Sequence, residues 1–248
     1  MATFFFIAVD VSDDARTSVF VIAAVTLVAL YLAIWTVANF RNSRKLHINN
    51  SVLEIKTGDL FEQDGLKAVA FNEYLDTQVD DTIISKSSLN GVYLSNKTKE
   101  EITELDKKIK NDAHLANMAT ETNKNRRSGK KQKYKLGSIY VDDEYLLVAF
   151  SKFNEKNMAH LYLKDYVNCL IAFWEEVDRV YAGRSVSLPL LGSGITRFKD
   201  TSLQPQEILN ILIWTFKISK VKFKHPSKAT IVIHDSMKDK INLSNIES

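Results

Sequence analysis

The segment VSLPLLGSGITRFKD, residues 186–200, passes from an apolar run into a Gly-Ser-Gly turn and then into a basic stretch. Glycine costs roughly 0.5–1 kcal/mol inside a regular element, so Gly192 and Gly194 at the end of a strand suggest a positive φ or a close approach to the backbone. A phosphate group is the candidate, because backbone N–H groups at such turns bind anions. A tight loop that binds nothing is the alternative.

Strand and helix patterns alternate on both sides of this turn. The expected elements before residue 150 are strands at 52–55 and 68–71, an amphipathic helix over 98–118 opened by the capping pair Thr98 and Glu101, and two strands around Asp142-Asp143. After them we expect a helix along 163–177 that ends before Gly183, a strand at 185–191, a helix opened by Pro205 and a strand at 229–235. This alternation predicts an α/β fold with three α/β/α layers and a mixed sheet.

An uncharged run precedes this domain. Residues 19–38 contain no charged side chain, and a helix of that length at 1.5 Å per residue spans roughly 30 Å, the thickness of a bilayer's hydrocarbon core. We therefore assign residues 17–40 to a transmembrane helix, 41–50 to a basic juxtamembrane linker and 51–248 to one globular domain. Arg41, Arg44 and Lys45 follow the span, which places that domain in the cytoplasm by the positive-inside rule.

The opening segment, residues 1–16, contains the apolar stretch MATFFFIAV at 1–9, which is too short to cross a bilayer. One interpretation is the remnant of a first membrane helix that begins upstream. The other is an interfacial anchor. The expected location is the cell inner membrane, with one pass or two according to which interpretation holds.

Composition narrows the class of protein. The hydrophobic content of 45% in 248 residues is typical of a folded chain, and the net charge of +3 argues against a dedicated nucleic-acid-binding protein. Cys169 is the single cysteine, which excludes a disulfide framework or a cysteine-based zinc site within one chain. The five histidines lack metal-ligand spacing, so we expect no metal site and no cofactor.

Polar residues follow several of the predicted strands. Asp59 comes after the first strand, Asn72 and Asp76 after the second, and the Gly192–Gly194 turn after a later one. In open α/β sheets ligands bind outside the carboxyl ends of the strands. An amide, a carboxylate and a glycine turn at one edge suit a ligand with a base, a ribose and phosphates.

At these residues the sequence resembles the macro domain, a module that binds ADP-ribose. IKTGDLF at 55–61 is similar to the strand and Gly-Asp signature of that family, PLLGSGITRF at 189–198 is similar to its phosphate loop, and the resemblance covers residues 51–236. It implies these contacts: Asp59 with the adenine amino group, the Leu60 N–H with the ring, Asn72 near the distal ribose, Gly192, Ser193, Gly194 and Ile195 around the diphosphate, and Phe198 against the distal ribose.

The sequence departs from the family at DTQVDD, residues 76–81, where ordinary macro domains carry a glycine triplet. Side chains there put hydrolysis of ADP-ribose adducts in doubt. Asp80 has two interpretations, a ligand-facing residue and a turn residue. The domain is therefore expected to be a sensor and no enzyme, with a membrane-bound ADP-ribosyl hydrolase and a passive tether for ADP-ribosylated proteins as alternatives.

FNEYLDTQVDD at 71–81 and the membrane span together resemble a narrower group, the membrane-anchored macro-domain effectors of Thoeris anti-phage systems. That resemblance implies an ADP-ribose-derived signal, proposed to be a histidine conjugate made by a partner TIR-domain enzyme. It also implies membrane lipids and further copies of the chain as partners, since one helix cannot form a pore. A tetramer is one such assembly.

Two further patterns carry predictions. The basic run NKNRRSGKKQKYK, residues 123–135, is by default a solvated loop, with contact to anionic headgroups as the alternative and nucleic-acid binding as the third reading. Trp174 and Trp214 lie on apolar helical faces, and we expect both in the core.

Overall fold

The computed structural model of the protein describes residues 13–39 and 43–246. The chain divides into two compact units, Met1–Asn42 and Ser43–Ser248. The apolar stretch at 1–9, like Arg41, lies outside the described residues.

The first unit contains a single described helix, α1, Asp13–Asn39. Its stretch Asp14–Thr36, 23 residues long, is apolar enough to cross a membrane, and none of its most apolar window is buried by protein. The exposed side chains include Phe20, Ile22 and Ile34. A helix that is apolar on all sides and uncovered by protein is typical of a lipid environment. The helix predicted from the uncharged run is confirmed.

The second unit contains the strands and the remaining helices. The strands are β1 Ser43–Ile48, β2 Ser51–Thr57, β3 Leu66–Asn72, β4 Ala119–Thr122, β5 Gln132–Tyr134, β6 Ile139–Asp142, β7 Tyr145–Phe153, β8 Ala159–Leu161, β9 Val186–Pro189, β10 Arg197–Phe198 and β11 Ala229–Ile233. The helices are α2 Leu89–Ser95, α3 Lys99–Asn111, α4 Ala113–Met118, α5 Leu163–Val180 and α6 Pro205–Ile218, with 3-10 turns at Asp235–Lys240 and Leu243–Asn245.

The main sheet is mixed. Its described strands lie in the order β1-β2-β11-β9-β3-β7-β8-β10, with β6 also paired to β7. The central strands β2, β11, β9, β3 and β7 are mutually parallel, whereas β1, β6 and β8 pair antiparallel. The predicted mixed sheet is confirmed. The predicted linker at 41–50 is wrong for residues 43–48, because β1 pairs with β2 from Ser43↔Lys56 to Ile48↔Ser51.

Helices cover both faces of this sheet. Alternate residues of β7 belong to two separate hydrophobic clusters, with Val148 among residues of α5 and α6 and Leu147 among residues of α2, α3 and α4. Successive side chains of a strand point to opposite faces, so the two clusters are the two interfaces of a three-layer α/β/α domain. The predicted architecture is confirmed.

Local signals are mostly confirmed, with two corrections. Thr98 and Glu101 form the predicted capping box of α3. The helical pattern that follows is broken at Asp112, which ends α3 and caps α4 by accepting a hydrogen bond from the N–H of Leu115. Trp174 is fully buried, but Trp214 is 50% exposed, so its predicted place in the core is wrong.

Candidate functional site

The carboxyl ends of the parallel strands bring the candidate loops to one edge of the sheet. Strand β3 pairs with β9 at only two positions, Leu66↔Val186 and Lys67↔Ser187, whereas it pairs with β7 from Lys67 to Asn72. Beyond Lys67 the ladder between β3 and β9 therefore stops, on the side where both strands end. Crevices of this kind, outside the carboxyl ends of neighbouring strands, are the usual ligand sites of α/β sheets.

The glycine turn after β9 is built around Gly192. This residue has φ +97°, a conformation that favours glycine, and a Cβ there would lie 3.3 Å from Cε2 of Tyr166 and 3.4 Å from Cζ of Phe198. The Tyr166 hydroxyl donates to the Leu191 carbonyl at 2.8 Å, and the Tyr166 and Phe198 rings pack edge to face at 5.2 Å. The turn thus rests on a fixed aromatic support, and Phe198 faces protein on one side.

The rest of this loop offers unpaired donors. Ser193 is held by the Leu190 carbonyl, which accepts from both its N–H and its hydroxyl. The backbone N–H groups of Gly192, Gly194 and Ile195 donate to no atom of residues 13–39 or 43–246. Three free N–H groups within four residues form a surface suited to an anion.

Gly194 differs from Gly192. Its φ is not positive and a Cβ there would meet nothing within 4 Å. The glycine required by backbone geometry is therefore Gly192, and the positive φ suggested for Gly194 is wrong. Ile195, 55% exposed, lies at the tip of the loop.

The loop after β2 carries Asp59 and Leu60. Asp59 is exposed, and its Oδ1 accepts from the N–H of Phe61 at 2.8 Å, while Leu60 is buried in the core. The N–H of Gly58 donates to the carbonyl of Ile233 at the end of β11. This bond fixes the Asp59 loop against the neighbouring strand. The second oxygen of the Asp59 carboxylate, Oδ2, has no hydrogen bond inside the described residues.

Asn72 and Asp76, at the end of β3, are committed to internal contacts. Asn72 is 2% exposed; its Oδ1 accepts from the N–H groups of Tyr74 and Asp76, and its Nδ2 donates to Asp76 Oδ2 at 2.9 Å. Both oxygens of Asp76, itself 1% exposed, also accept from Arg126, at 3.1 and 2.7 Å. The two residues shape the wall of the crevice, and their side chains are largely used before any ligand arrives.

Arg126 comes from the basic run at 123–135, and it is a residue that sequence reasoning missed. The Arg126 guanidinium carbon lies 3.8 Å from the centroid of the Tyr74 ring. The same basic run is held to Asp76 by a second contact, in which the Lys130 N–H donates to the Asp76 carboxylate at 2.7 Å. The Lys130 ammonium pairs with Asp106 at 2.6 Å, and burial lowers the pKa of this lysine. Part of the predicted solvated loop is thus an internal ion-pair network.

Asp80 behaves as a turn residue in this structure. Its Oδ1 accepts from the N–H groups of Thr82 and Ile83, and its Oδ2 accepts from Gln78. The hydrogen bond from Ile83, with smaller contributions from Thr82 and Gln78, lowers the pKa of the Asp80 carboxyl. The side chain is exposed, but these three donors hold it to its own loop.

Chemistry at this edge is poor in reactive groups. No three residues among His, Cys, Asp and Glu within 13–39 and 43–246 are grouped so that they could hold a metal ion. Burial raises the pKa of the Tyr166 hydroxyl and of the Cys169 thiol, so neither is ionised at neutral pH. The arrangement is suited to binding a polar, anionic molecule through backbone groups.

The structure brings most of the sequence-predicted residues together. The loops that carry Asp59 and Gly192–Ile195 follow β2 and β9, which lie on either side of β11 in the parallel sheet, and Asn72 ends β3, the strand on the other side of the crevice. Tyr166 and Arg126 were missed. A tyrosine in an apolar helical stripe gives no sign of its hydrogen bond, and an arginine in a run of basic residues gives none of its buried partner.

Comparison with known proteins gives the same assignment. Residues 53–234 match the family described as "Thoeris protein ThsA, Macro domain". The chain is 45% identical over 212 residues to Thoeris protein ThsA of Bacillus amyloliquefaciens (strain Y2), covering 84% of this chain and 71% of that protein. The fold is similar to an aspartate-to-alanine mutant of the Oceanobacillus iheyensis macrodomain, with a TM-score of 0.52, 12% identity, and 80% and 92% of the two chains covered.

Proposed function

The chain belongs to the Thoeris ThsA macro-domain family, and we propose that it is a membrane-anchored sensor and effector of anti-phage defence. In this proposal the macro domain binds an ADP-ribose-derived signalling nucleotide, and a histidine conjugate of ADP-ribose made by a TIR-domain enzyme is the leading ligand. Ligand binding promotes self-association of the chain, and the assembled apolar helices disrupt the inner membrane.

The observation that carries the proposal is the loop after β9. The free N–H groups of Gly192, Gly194 and Ile195 can donate to the oxygens of a diphosphate without any rearrangement of side chains. The exposed Asp59 carboxylate, at the end of a strand nearby, can accept from an adenine amino group. A diphosphate in the middle and a base at one end is the pattern of an ADP-ribose derivative.

Recognition is favoured over turnover. General acid–base chemistry needs a titratable group within hydrogen-bond reach of the reacting bond. Asn72 ends β3, Asp76 and Asp80 follow it, and each of the three side chains is held by hydrogen bonds to neighbouring groups. This engagement supports a binding domain and makes the hydrolase the second candidate.

The apolar helix supports the effector half of the proposal. A switch from about 1% to 99% of the active form requires a preference of about 5.5 kcal/mol for that form. Assembly of several chains supplies such a preference through mass action, because each bound ligand favours the associated state. A single helix cannot line a pore, so leakage must depend on the number of chains per vesicle.

The experiment uses the full chain reconstituted into dye-loaded liposomes, with ADP-ribose, its histidine conjugate or ATP added outside. Dye release with an ADP-ribose derivative and not with ATP, rising steeply with the protein-to-lipid ratio, is the expected result. Chromatography of the same samples detects hydrolysis. If free ADP-ribose forms from the conjugate without dye release, the chain is a hydrolase and the sensor proposal is wrong. If the ligand binds but neither hydrolysis nor dye release occurs, the chain is a passive tether.

A further inference from the structure

The stretch that runs from the first turn of α6 through β11 is unusual in charge. Residues 208–234 contain five lysines and no aspartate or glutamate, although acidic residues make up 30 of the 248 positions in the chain. These lysines are Lys217, Lys220, Lys222, Lys224 and Lys228. Only Lys228 forms an ion pair within residues 13–39 and 43–246, with Glu54. The first four are exposed cations without a protein counter-ion there.

Three of them form a fixed row, which we call the lysine ridge: Lys220, Lys222 and Lys224. The residues between them, Val221 and Phe223, are 2% and 1% exposed, whereas the three lysines are exposed. This alternation places the three ammonium groups on the solvent side of the segment. Consecutive members of such a row are roughly 6–7 Å apart along an extended chain.

The ridge is held in place from below. The Phe223 ring packs against Phe216 of α6 and Tyr181, with centroids 6.3 and 5.0 Å apart. The N–H of Phe223 donates to the buried Ser51 hydroxyl at 2.8 Å, and the Tyr181 hydroxyl donates to the Lys222 carbonyl at 3.0 Å. The lysines therefore project from an ordered backbone, and little chain entropy is lost when they bind a partner.

Large apolar side chains are exposed directly before the ridge. Trp214 and Ile218, one helical turn apart on α6, are 50% and 48% exposed. Residues four apart on a helix lie on the same side, so the two form a continuous apolar strip beside Lys217. A tryptophan next to lysines is the combination that proteins place at the boundary between lipid and water, where the ring enters the headgroup region and the ammonium groups meet phosphates.

From these observations we infer that Trp214, Ile218, Lys217 and the lysine ridge form a docking surface for anionic lipid headgroups. This inference rests on the proposed membrane anchoring by α1, because only residues 40–42 separate α1 from β1 and so the domain stays near the bilayer. Because the surface carries only positive charges, it favours lipids with anionic headgroups. Each basic residue close to an anionic surface strengthens binding about fivefold, so the three ridge lysines together give roughly 100-fold.

The surface is distinct from the basic run at 123–135 that the sequence suggested for headgroups. In that run Arg126, Lys130 and Lys133 pair with Asp76, Asp106 and Glu121 respectively, so part of its charge is neutralised inside the domain. The lysine ridge has no such acidic partners among the described residues.

The test is fluorescence of the full chain in lipid nanodiscs, made of phosphatidylcholine alone or mixed with phosphatidylserine. The chain has three tryptophans, so subtracting the spectrum of the W214F variant isolates Trp214. Nitroxide-labelled headgroup lipids are expected to quench Trp214 in the anionic discs and not in the neutral ones. Raising the salt to about 1 M, where the Debye length falls to about 3 Å, should abolish the quenching.

The variant K220Q/K222Q/K224Q should lower the ratio of docked to undocked protein roughly 100-fold. The matched control is K107Q/K108Q/K110Q, because it removes the same charge from exposed positions of α3 on the other face of the sheet. Equal quenching in neutral and anionic discs, or an equal loss in the control, would overturn the inference. If a DNA duplex changes the fluorescence of Trp214 and anionic lipid does not, the surface binds nucleic acid instead. If the change in fluorescence depends on the number of chains per disc, the surface binds a second copy of the chain.

Flotation with vesicles separates this inference from the proposed anchoring. A chain that does not float with neutral vesicles contradicts the anchoring. In that case the docking surface is tested separately: the full chain must still float with phosphatidylserine vesicles, and the K220Q/K222Q/K224Q variant must not.

Discussion

Replacing Gly192 by alanine tests the geometry of the phosphate-loop candidate. The residue has φ +97°, and a non-glycine residue held in such a region costs about 1–3 kcal/mol. The new Cβ would also lie 3.3 Å from Tyr166 and 3.4 Å from Phe198, which are tight contacts with two rings already packed together. Either the strain remains, and the domain loses stability, or the loop shifts, and its N–H groups move away from the ligand.

Both results can be measured on the full chain in detergent. For a domain of this size, each kcal/mol lowers the midpoint of thermal unfolding by about 2–4 °C, so retained strain corresponds to a fall of roughly 2–12 °C. A shifted loop should weaken binding of ADP-ribose at least about tenfold in calorimetry, which corresponds to 1.4 kcal/mol.

Gly194→Ala is the matched control, since it adds the same methyl group two residues away. A Cβ at Gly194 meets nothing within 4 Å and the backbone there is not left-handed, so stability should change by less than about 0.5 kcal/mol. If Gly192→Ala is as stable and binds as tightly as Gly194→Ala, the argument from φ and from the aromatic support is refuted.

Three further predictions concern neighbouring residues. Asp76→Asn removes the charge facing the buried Arg126 guanidinium and should lower the free energy of unfolding in urea by about 3–5 kcal/mol. The decrease should be smaller in the double variant with Arg126→Met, and a decrease under about 1 kcal/mol for Asp76→Asn would contradict the internal network. Burial raises the pKa of Asp142, but hydrogen bonds from Lys97 and Tyr93 outweigh it and lower the pKa below 3.8, so this carboxylate stabilises the fold above about pH 4 and the contribution is lost as pH falls through the lowered pKa. Asp142→Asn should therefore flatten the decline of the urea midpoint between about pH 5 and 3, and an unchanged slope would exclude the effect. Asp59→Ala removes an exposed side chain that caps its own turn, so the free energy of unfolding should fall by no more than about 1 kcal/mol. Calorimetry should nevertheless show weaker binding of ADP-ribose, and unchanged affinity would exclude Asp59 from the site.

Features encoded in consecutive residues were predictable. The span of α1 follows from an uncharged run, the start of α3 from the pair Thr98 and Glu101, and the turn between β6 and β7 from Asp142-Asp143, where Asp143 has φ +54°. Each signal consists of residues close together in the sequence, so no knowledge of the tertiary structure was needed.

Features that depend on distant residues were not predictable. Arg126 and Asp76 lie 50 positions apart, and nothing in either segment identifies the other. Trp214 is on an apolar helix, but the sequence pattern does not reveal that its side of α6 is exposed. The choice between Gly192 and Gly194 depended on backbone angles that a Gly-Ser-Gly string leaves open.

The contact between Asp76 and Arg126 also defines a module within the domain. The chain leaves the sheet after β3, forms α2, α3 and α4, and returns to within hydrogen-bonding distance of its starting point. Such a segment can open as one cooperative piece while the strands beneath it remain paired. Amide hydrogen exchange across α2–α4 would then follow a single opening equilibrium, in which Asp76 loses its contacts with the Arg126 guanidinium and the Lys130 N–H together, at the border of the crevice beside β3.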